Sequence, residues 1–260
     1  MESRNDRYIL PEGFFDRPLT AREVEDFALC PRRFLLSQFV SREETRRFLG
    51  GPAVVHNALR GSIVRLYREG NPQENAEAKL LESFDELWEG ELCADSVEEE
   101  RLAAQGRRIL SEFAAEFVAE RPAALAADMS LTGELCGVSM VAVADLVFAP
   151  AGEGQPVVVM RLNSRGRPPG PGELSKELSA GILLLLAGQH LAPEEVKVGY
   201  YCLRPGKLVE VSMSDDAMAH LQHVVTSRVK RMRRETEFAP RKGKHCRWCR
   251  VRSRCEIWRR

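Results

Sequence analysis

Hydrophobic positions along this chain repeat with two different periods, and the change between them divides it. From Thr20 to about Phe117 apolar residues recur at three- and four-residue intervals, the mark of helices with one buried face. Thr20 and Glu23 form a T-x-x-E capping box, which opens a short helix ending at Cys30. Pro31 suits the first turn of the next helix, RRFLLSQFV, where its missing amide would be unpaired anyway. Gly51 and Pro52 begin a third that runs to about Arg68. Val55, Leu59, Ser62 and Leu66 define one face of it, with His56, Ile63 and Tyr67 beside them. Two further helices follow, one carried by Leu80, Leu81, Phe84, Leu87 and Trp88. The other is carried by Leu102, Ile109, Leu110, Phe113 and Phe117, and Pro122 stops it.

From Met129 the period falls to two. SLTGEL and VSMVAVADLVF read as a hairpin turning at Cys136–Gly137, and PVVVMRL as a third strand. NSRGRPPGPG is a Pro- and Gly-rich loop carrying Arg165 and Arg167. A helix is expected from Glu173 to about Leu191, around the apolar run ILLLLA. Two strands, VKVGYYCL and KLVEVSM, then join through Arg204, Pro205 and Gly206. Ser214 and Asp215 open a last long helix into a basic tail, while residues 1–18 read as irregular. The pattern is that of an α/β chain.

Composition narrows this only a little. At 260 residues and 44% hydrophobic the chain can bury a substantial core, and we expect one domain over 1–260 with a helical insertion at 70–128. LLLLAG at 183–188 falls short of the eighteen or so apolar residues a membrane helix needs, and no amino-terminal targeting pattern is present. A cytoplasmic location with no membrane contact is the expectation. Formal net charge is zero, yet the charges are segregated. Glu74 to Glu100 holds eleven acidic residues and one lysine, whereas Arg228 to Arg260 holds fourteen Lys/Arg against three Glu. The basic end has the sign needed to attract phosphate backbones, in a salt-dependent way.

That end also holds the densest chemistry. KHCRWCRVRSRCEIWRR carries Cys246, Cys249 and Cys255 in a C-x2-C-x5-C spacing. Neighbouring arginines favour the thiolate, the form that binds metal. A fourth ligand is expected from Cys30, at the junction of the first two helices. Cys93, Cys136 and Cys202 stand alone. Structural zinc prefers two C-x2-C-like pairs, and only one exists here; an iron–sulfur cluster accepts a run of cysteines plus a remote one. Zinc and unpaired thiols stay open as alternatives. Seven cysteines, an odd number, argue against a disulfide framework.

This order of elements, with cysteines at both ends, resembles the PD-(D/E)XK nuclease superfamily, and within it the RecB-type branch with an iron–sulfur cluster. The C-terminal nuclease domain of AddB and the CRISPR adaptation nucleases are the members it looks most like. CPRRF at Cys30–Phe34 resembles the first cluster motif, GPAVVH at Gly51–His56 a G-x-x-x-H helix although four residues rather than three separate its glycine and histidine, and GVSMVAVADLVF the strand bearing the first metal-binding aspartate, here Asp145. The terminal C-x2-C-x5-C completes the set. The likeness implies a restriction-endonuclease-like core, a mixed central sheet flanked by helices. It also implies a 4Fe-4S cluster on Cys30, Cys246, Cys249 and Cys255, with residues 240–260 and Cys30 clasping the termini together.

The active branch follows the aspartate strand with one reading hydrophobic–hydrophobic–Asp–x–Lys. Its carboxylates hold magnesium or manganese, which activates water and stabilises charge on the scissile phosphate. In this chain the stretch is VVVMRLN, and the best register puts Met160 at the acid and Leu162 at the lysine; a shift of one residue either way recovers no acid, though it can place Arg161 at the lysine. His56 and Asp145 remain, a thin set for magnesium, with Lys176 and Glu177 as possible relocated groups. Loss of catalysis is therefore expected, in a protein that binds nucleic acid, DNA above all, through Arg161, Arg165, Arg167 and the basic tail. Two other readings are an active metal-dependent exonuclease built on Asp145, Lys176 and Glu177, and a non-catalytic subunit of a helicase–nuclease or CRISPR-type complex that docks a helicase or nuclease on the acidic helices of 74–100.

Overall fold

The structure is a computed structural model that describes residues 8–258 except 71, 122, 151, 153–154, 165, 171 and 192–195. Arg165 and Pro122 thus lie outside the described residues, as do the first seven of the expected irregular start. The chain divides into two compact units. One comprises Met1–Phe48, Thr132–Ala142 and Met213–Arg260; the other comprises Leu49–Leu131 and Val143–Ser212.

The first unit gathers both ends of the chain. It contains β1 (Leu19–Thr20), α1 (Ala21–Leu29), α2 (Pro31–Ser37), α3 (Arg42–Leu49, its last residue beyond the unit) and, at the far end of the chain, α8 (Asp215–Arg234). The capping box of α1 forms as expected: Glu23 donates its amide to Thr20 Oγ1 at 3.2 Å, and Thr20 returns its own to Glu23 Oε2 at 2.9 Å. Helix α3 was not expected from the apolar pattern, because its sequence is almost wholly polar. A polar signal was present, since Ser41 and Glu44 exchange the same pair of bonds, each 3.0 Å. Beyond α8 the tail turns through three short 3-10 segments, Lys244–Trp248, Arg252–Arg254 and Glu256–Trp258.

The second unit is built from α4 (Gly51–Arg68), α5 (Ala76–Leu87), α6 (Ser96–Phe113, continued by a π turn over Ala114–Val118), β4 (Val157–Asn163), α7 (Leu178–His190), β5 (Val196–Cys202) and β6 (Lys207–Val211). Strands β2 (Ala126–Leu135) and β3 (Val138–Phe148) are divided between the units. They pair as a hairpin through Cys136 and Gly137, whose φ of 50° and 77° is the left-handed backbone a two-residue hairpin turn requires. Within the second unit β3 runs antiparallel to β4, β4 parallel to β5, and β5 antiparallel to β6. In the first, Leu19 and Thr20 pair parallel with Met140 and Val141 of β3. The sheet is mixed, as expected.

Parallel neighbours need a crossover, and α7 supplies it between β4 and β5. Its run of leucines is apolar on every side, so it can only be a covered helix. A 3-10 turn, Leu174–Lys176, precedes it and Glu177 adopts an extended backbone, so the single helix expected from Glu173 begins in earnest only at Leu178. The opposite face of β3 and β4 packs on α4, α5 and α6. Leu146, Phe148, Met160, Leu162 and Tyr201 form one core with Leu59, Ile63, Phe84, Leu110 and Phe117. The helices of the 70–128 stretch therefore share the sheet's core.

Candidate active site and cysteine cluster

Asp145 is completely buried, and a bare carboxylate there would be costly. Among the described residues three donors satisfy it. Arg60 Nε lies 2.6 Å from Oδ1, Arg161 Nε lies 3.1 Å from Oδ2, and the amide of Leu162 donates to Oδ2 at 2.7 Å. Arg161 is held on its other side by donating to the carbonyl of Val143 at 2.7 Å. Arg60 reaches onward to Asp128 at 2.5 Å, and Arg68 meets the same aspartate at 3.1 Å. The result is an alternating row, Arg161, Asp145, Arg60, Asp128, Arg68, with one more positive than negative charge. Asp128 can take its place because it adopts a left-handed φ of 57° near the start of β2, a conformation aspartate tolerates better than most residues.

His56 sits one turn before Arg60 on α4. Its Nδ1 is buried without a hydrogen-bond partner among the described residues, and burial pushes its pKa below the usual value. Asp145 opposes that shift, while Arg161 and Arg60 reinforce it. The folded protein thus favours the neutral ring. Because unfolded histidine takes up a proton near pH 6.5, stability that is present above that pH declines as pH falls toward the lowered folded value. Urea midpoints at pH 7.5 and 5.5 should therefore converge in His56→Gln relative to wild type.

The cysteine cluster belongs to the first unit. Cys30, Cys246, Cys249 and Cys255 are all buried, unbridged, and line one small cavity with Arg33, Leu36 and Val251. Backbone amides aim at the sulfurs: Arg241 donates to Cys30 Sγ at 3.3 Å, Val251 to Cys249 and Ile257 to Cys255. Burial raises the pKa of Cys249 and Cys255, more than those amides and Arg33 lower it. Metal binding there must displace protons. Among the described residues no three His, Cys, Asp or Glu side chains converge tightly enough to grip one metal ion. In chemical character, four thiols with N–H donors on three of them suit a thiolate-bound group. Ion pairs tie the same segments together independently. Asp26, buried between α1 neighbours, takes Arg33 at 2.8 Å and Arg250 at 2.7 Å; Arg32 Nε pairs with Glu256 at 2.9 Å, and Arg254 with Glu44 at 2.6 Å.

The family model of the PD-(D/E)XK nuclease superfamily matches residues 18–256. The chain belongs to the PD-(D/E)XK nuclease superfamily. A crystal structure named "Putative exonuclease" from Eubacterium rectale superposes with a TM-score of 0.50 at 12% identity, covering 96% of this chain and 92% of that one. A second, named SSO0001, gives a TM-score of 0.33 at 13% identity over 91% and 93%, too loose to bear on the fold. No curated protein matches.

As a PD-(D/E)XK chain it departs from the expected register by one residue. Met160 and Leu162 point into the core with Leu146 and Phe148, on the face opposite Asp145. The residue between them, Arg161, meets the aspartate. Groups that act on one ion with Asp145 must share its face, so the acid and lysine positions fall at Val159 and Arg161 instead. Val159 is fully buried and offers no ligand. Among the described residues magnesium does not fit what remains: Asp145, both of whose oxygens already accept from protein donors, beside an imidazole whose protonation burial disfavours. Lys176 is exposed, and Glu177 stands in extended backbone just before α7. Arg167 pairs with Glu173 at 3.0 Å. The sequence reading missed Arg60, Arg68 and Asp128. A usable signal for the first was its spacing, four residues after His56 on one helix face.

Proposed function

We propose that this chain is a nucleic-acid-binding member of the RecB-type branch whose metal-dependent cleavage is lost, and that a 4Fe-4S cluster on Cys30, Cys246, Cys249 and Cys255 clasps its termini. One observation carries the loss of cleavage: both oxygens of Asp145 are taken by guanidinium and amide donors where a nuclease would hold a divalent cation. Arginine stays protonated at any working pH, so Arg161 can neutralise or bind a phosphate but cannot shuttle a proton. Excess positive charge at the Asp145 row, and the arginine-rich tail, support binding to a polyanion. The RecB-type placement rests on the cysteines at both chain ends.

Fluorescence anisotropy with a labelled DNA strand at two salt concentrations, alongside a nuclease assay with magnesium and with manganese, tests this reading. Expected is binding that weakens steeply with salt and no cleavage with either metal. Cleavage that Asp145→Ala abolishes would overturn it, and so would an absence of binding at low salt.

A further inference from the structure

We infer that the cysteine-bearing tail presents a stacking platform for single-stranded nucleic acid, with Trp248 receiving a base and Lys244, Arg247 and Arg252 receiving its backbone. This rests on the nucleic-acid reading above and adds where, and in what form, the strand is held.

The tail sorts its side chains sharply. Cys246, Cys249, Val251 and Cys255 are buried; Arg250 and Arg254 turn inward to Asp26 and Glu44. Trp248, between two buried cysteines, is 79% exposed, more than any other large apolar side chain among the described residues. Lys244 and Arg247 are exposed and make no hydrogen bond or ion pair among the described residues. Arg252 lies over the ring of Trp258 at 4.2 Å, with Lys242 at 5.8 Å from the same ring.

An indole left in water is a waste of apolar surface unless something covers it. A protein-binding tryptophan normally sits within a ring of other contacts that exclude water. Here Arg247 adjoins it in sequence and Lys244 opens the same 3-10 segment, both unpaired among the described residues, while the tail's other indole, Trp258, is already capped by the guanidinium of Arg252. That combination of an open aromatic face and uncompensated positive charge is what a nucleic-acid strand uses, base on ring and phosphate on cation. Bases within a duplex are stacked on one another and present no free face, so the strand must be single. The backbone beneath Trp248 is pinned at both sides by buried sulfur residues, and by the amide of Cys249 donating to the carbonyl of Cys246 at 3.5 Å. Little ordering is therefore left to pay at the moment of binding.

The experiment measures affinity of the full-length chain for an oligothymidylate strand, a duplex of equal length and polyglutamate, with tryptophan fluorescence and anisotropy read together. Wild type should bind the single strand best, with quenching that disappears in Trp248→Ala. That variant should bind roughly tenfold more weakly and melt at the wild-type temperature, whereas Trp248→Phe keeps most of the affinity. Arg247→Gln should flatten the salt dependence. If wild type binds the single strand and Trp248→Ala binds it equally well, the platform is wrong while the nucleic-acid reading stands. If Trp248→Ala loses only polyglutamate, the surface serves an acidic protein and the platform is again wrong. Failure of wild type to bind any strand at low salt removes both.

Discussion

Asp145→Asn lowers the stability of this chain by about 3 kcal/mol, and by the same amount with or without magnesium. The size follows from leaving Arg60 and Arg161 to share a neutral amide. Removing one partner of a buried ion pair costs about 3–5 kcal/mol. The lower end applies because both guanidiniums keep some access to water, 28% and 35% of their side-chain surface, and Arg60 retains Asp128. The sign matters more than the size. In a working nuclease the catalytic carboxylates crowd one another, and neutralising one relieves repulsion and commonly stabilises the fold. Urea denaturation of the two proteins, each with and without millimolar magnesium, decides the matter. A more stable variant, or a magnesium stabilisation of wild type that the variant lacks, would mean that Asp145 is still a metal ligand.

Cys30→Ser is expected to strip iron and acid-labile sulfide from anaerobically purified protein, and to do so completely. The cluster would close a loop of 215 intervening residues, which by analogy with a cross-link is worth at most about 5 kcal/mol of unfolded-state entropy. The measured loss should be smaller, about 2–4 kcal/mol on the same scale, because the ion pairs of Asp26, Arg32 and Arg254 already hold the tail to the amino-terminal helices. Limited trypsin digestion provides the second readout: the tail of the variant stays largely protected despite its arginines. Zinc in place of iron, or iron content unchanged by the substitution, would dismiss the cluster; early cleavage of the tail would show that the ion pairs do not suffice.

What could be read along the chain was whatever depends on near neighbours. The capping box at Thr20, the hairpin turn at Cys136–Gly137 and the span of α4 each rest on residues within a few positions of one another, and each stands as expected. Helix α3 escaped because its evidence was polar rather than periodic. The one-residue slip at β4 has a plainer cause. VVVMRLN is apolar on both faces, and when both faces are buried alternation gives no sign of which residues look which way.

Sequence alone determined that this is a mixed α/β chain, that three of its seven thiols crowd into the last fifteen residues, and that no acid stands in the strand after Asp145. These are local facts, fixed by spacing and residue type. Only the tertiary structure decided which side of β4 faces the aspartate, and that Arg60, Arg161 and the Leu162 amide meet there. Residues 85 and 16 positions from Asp145 cannot announce a shared site through any periodicity. They meet because a buried carboxylate must find donors, and the pairing of β3 with β4 beside α4 puts those donors in reach.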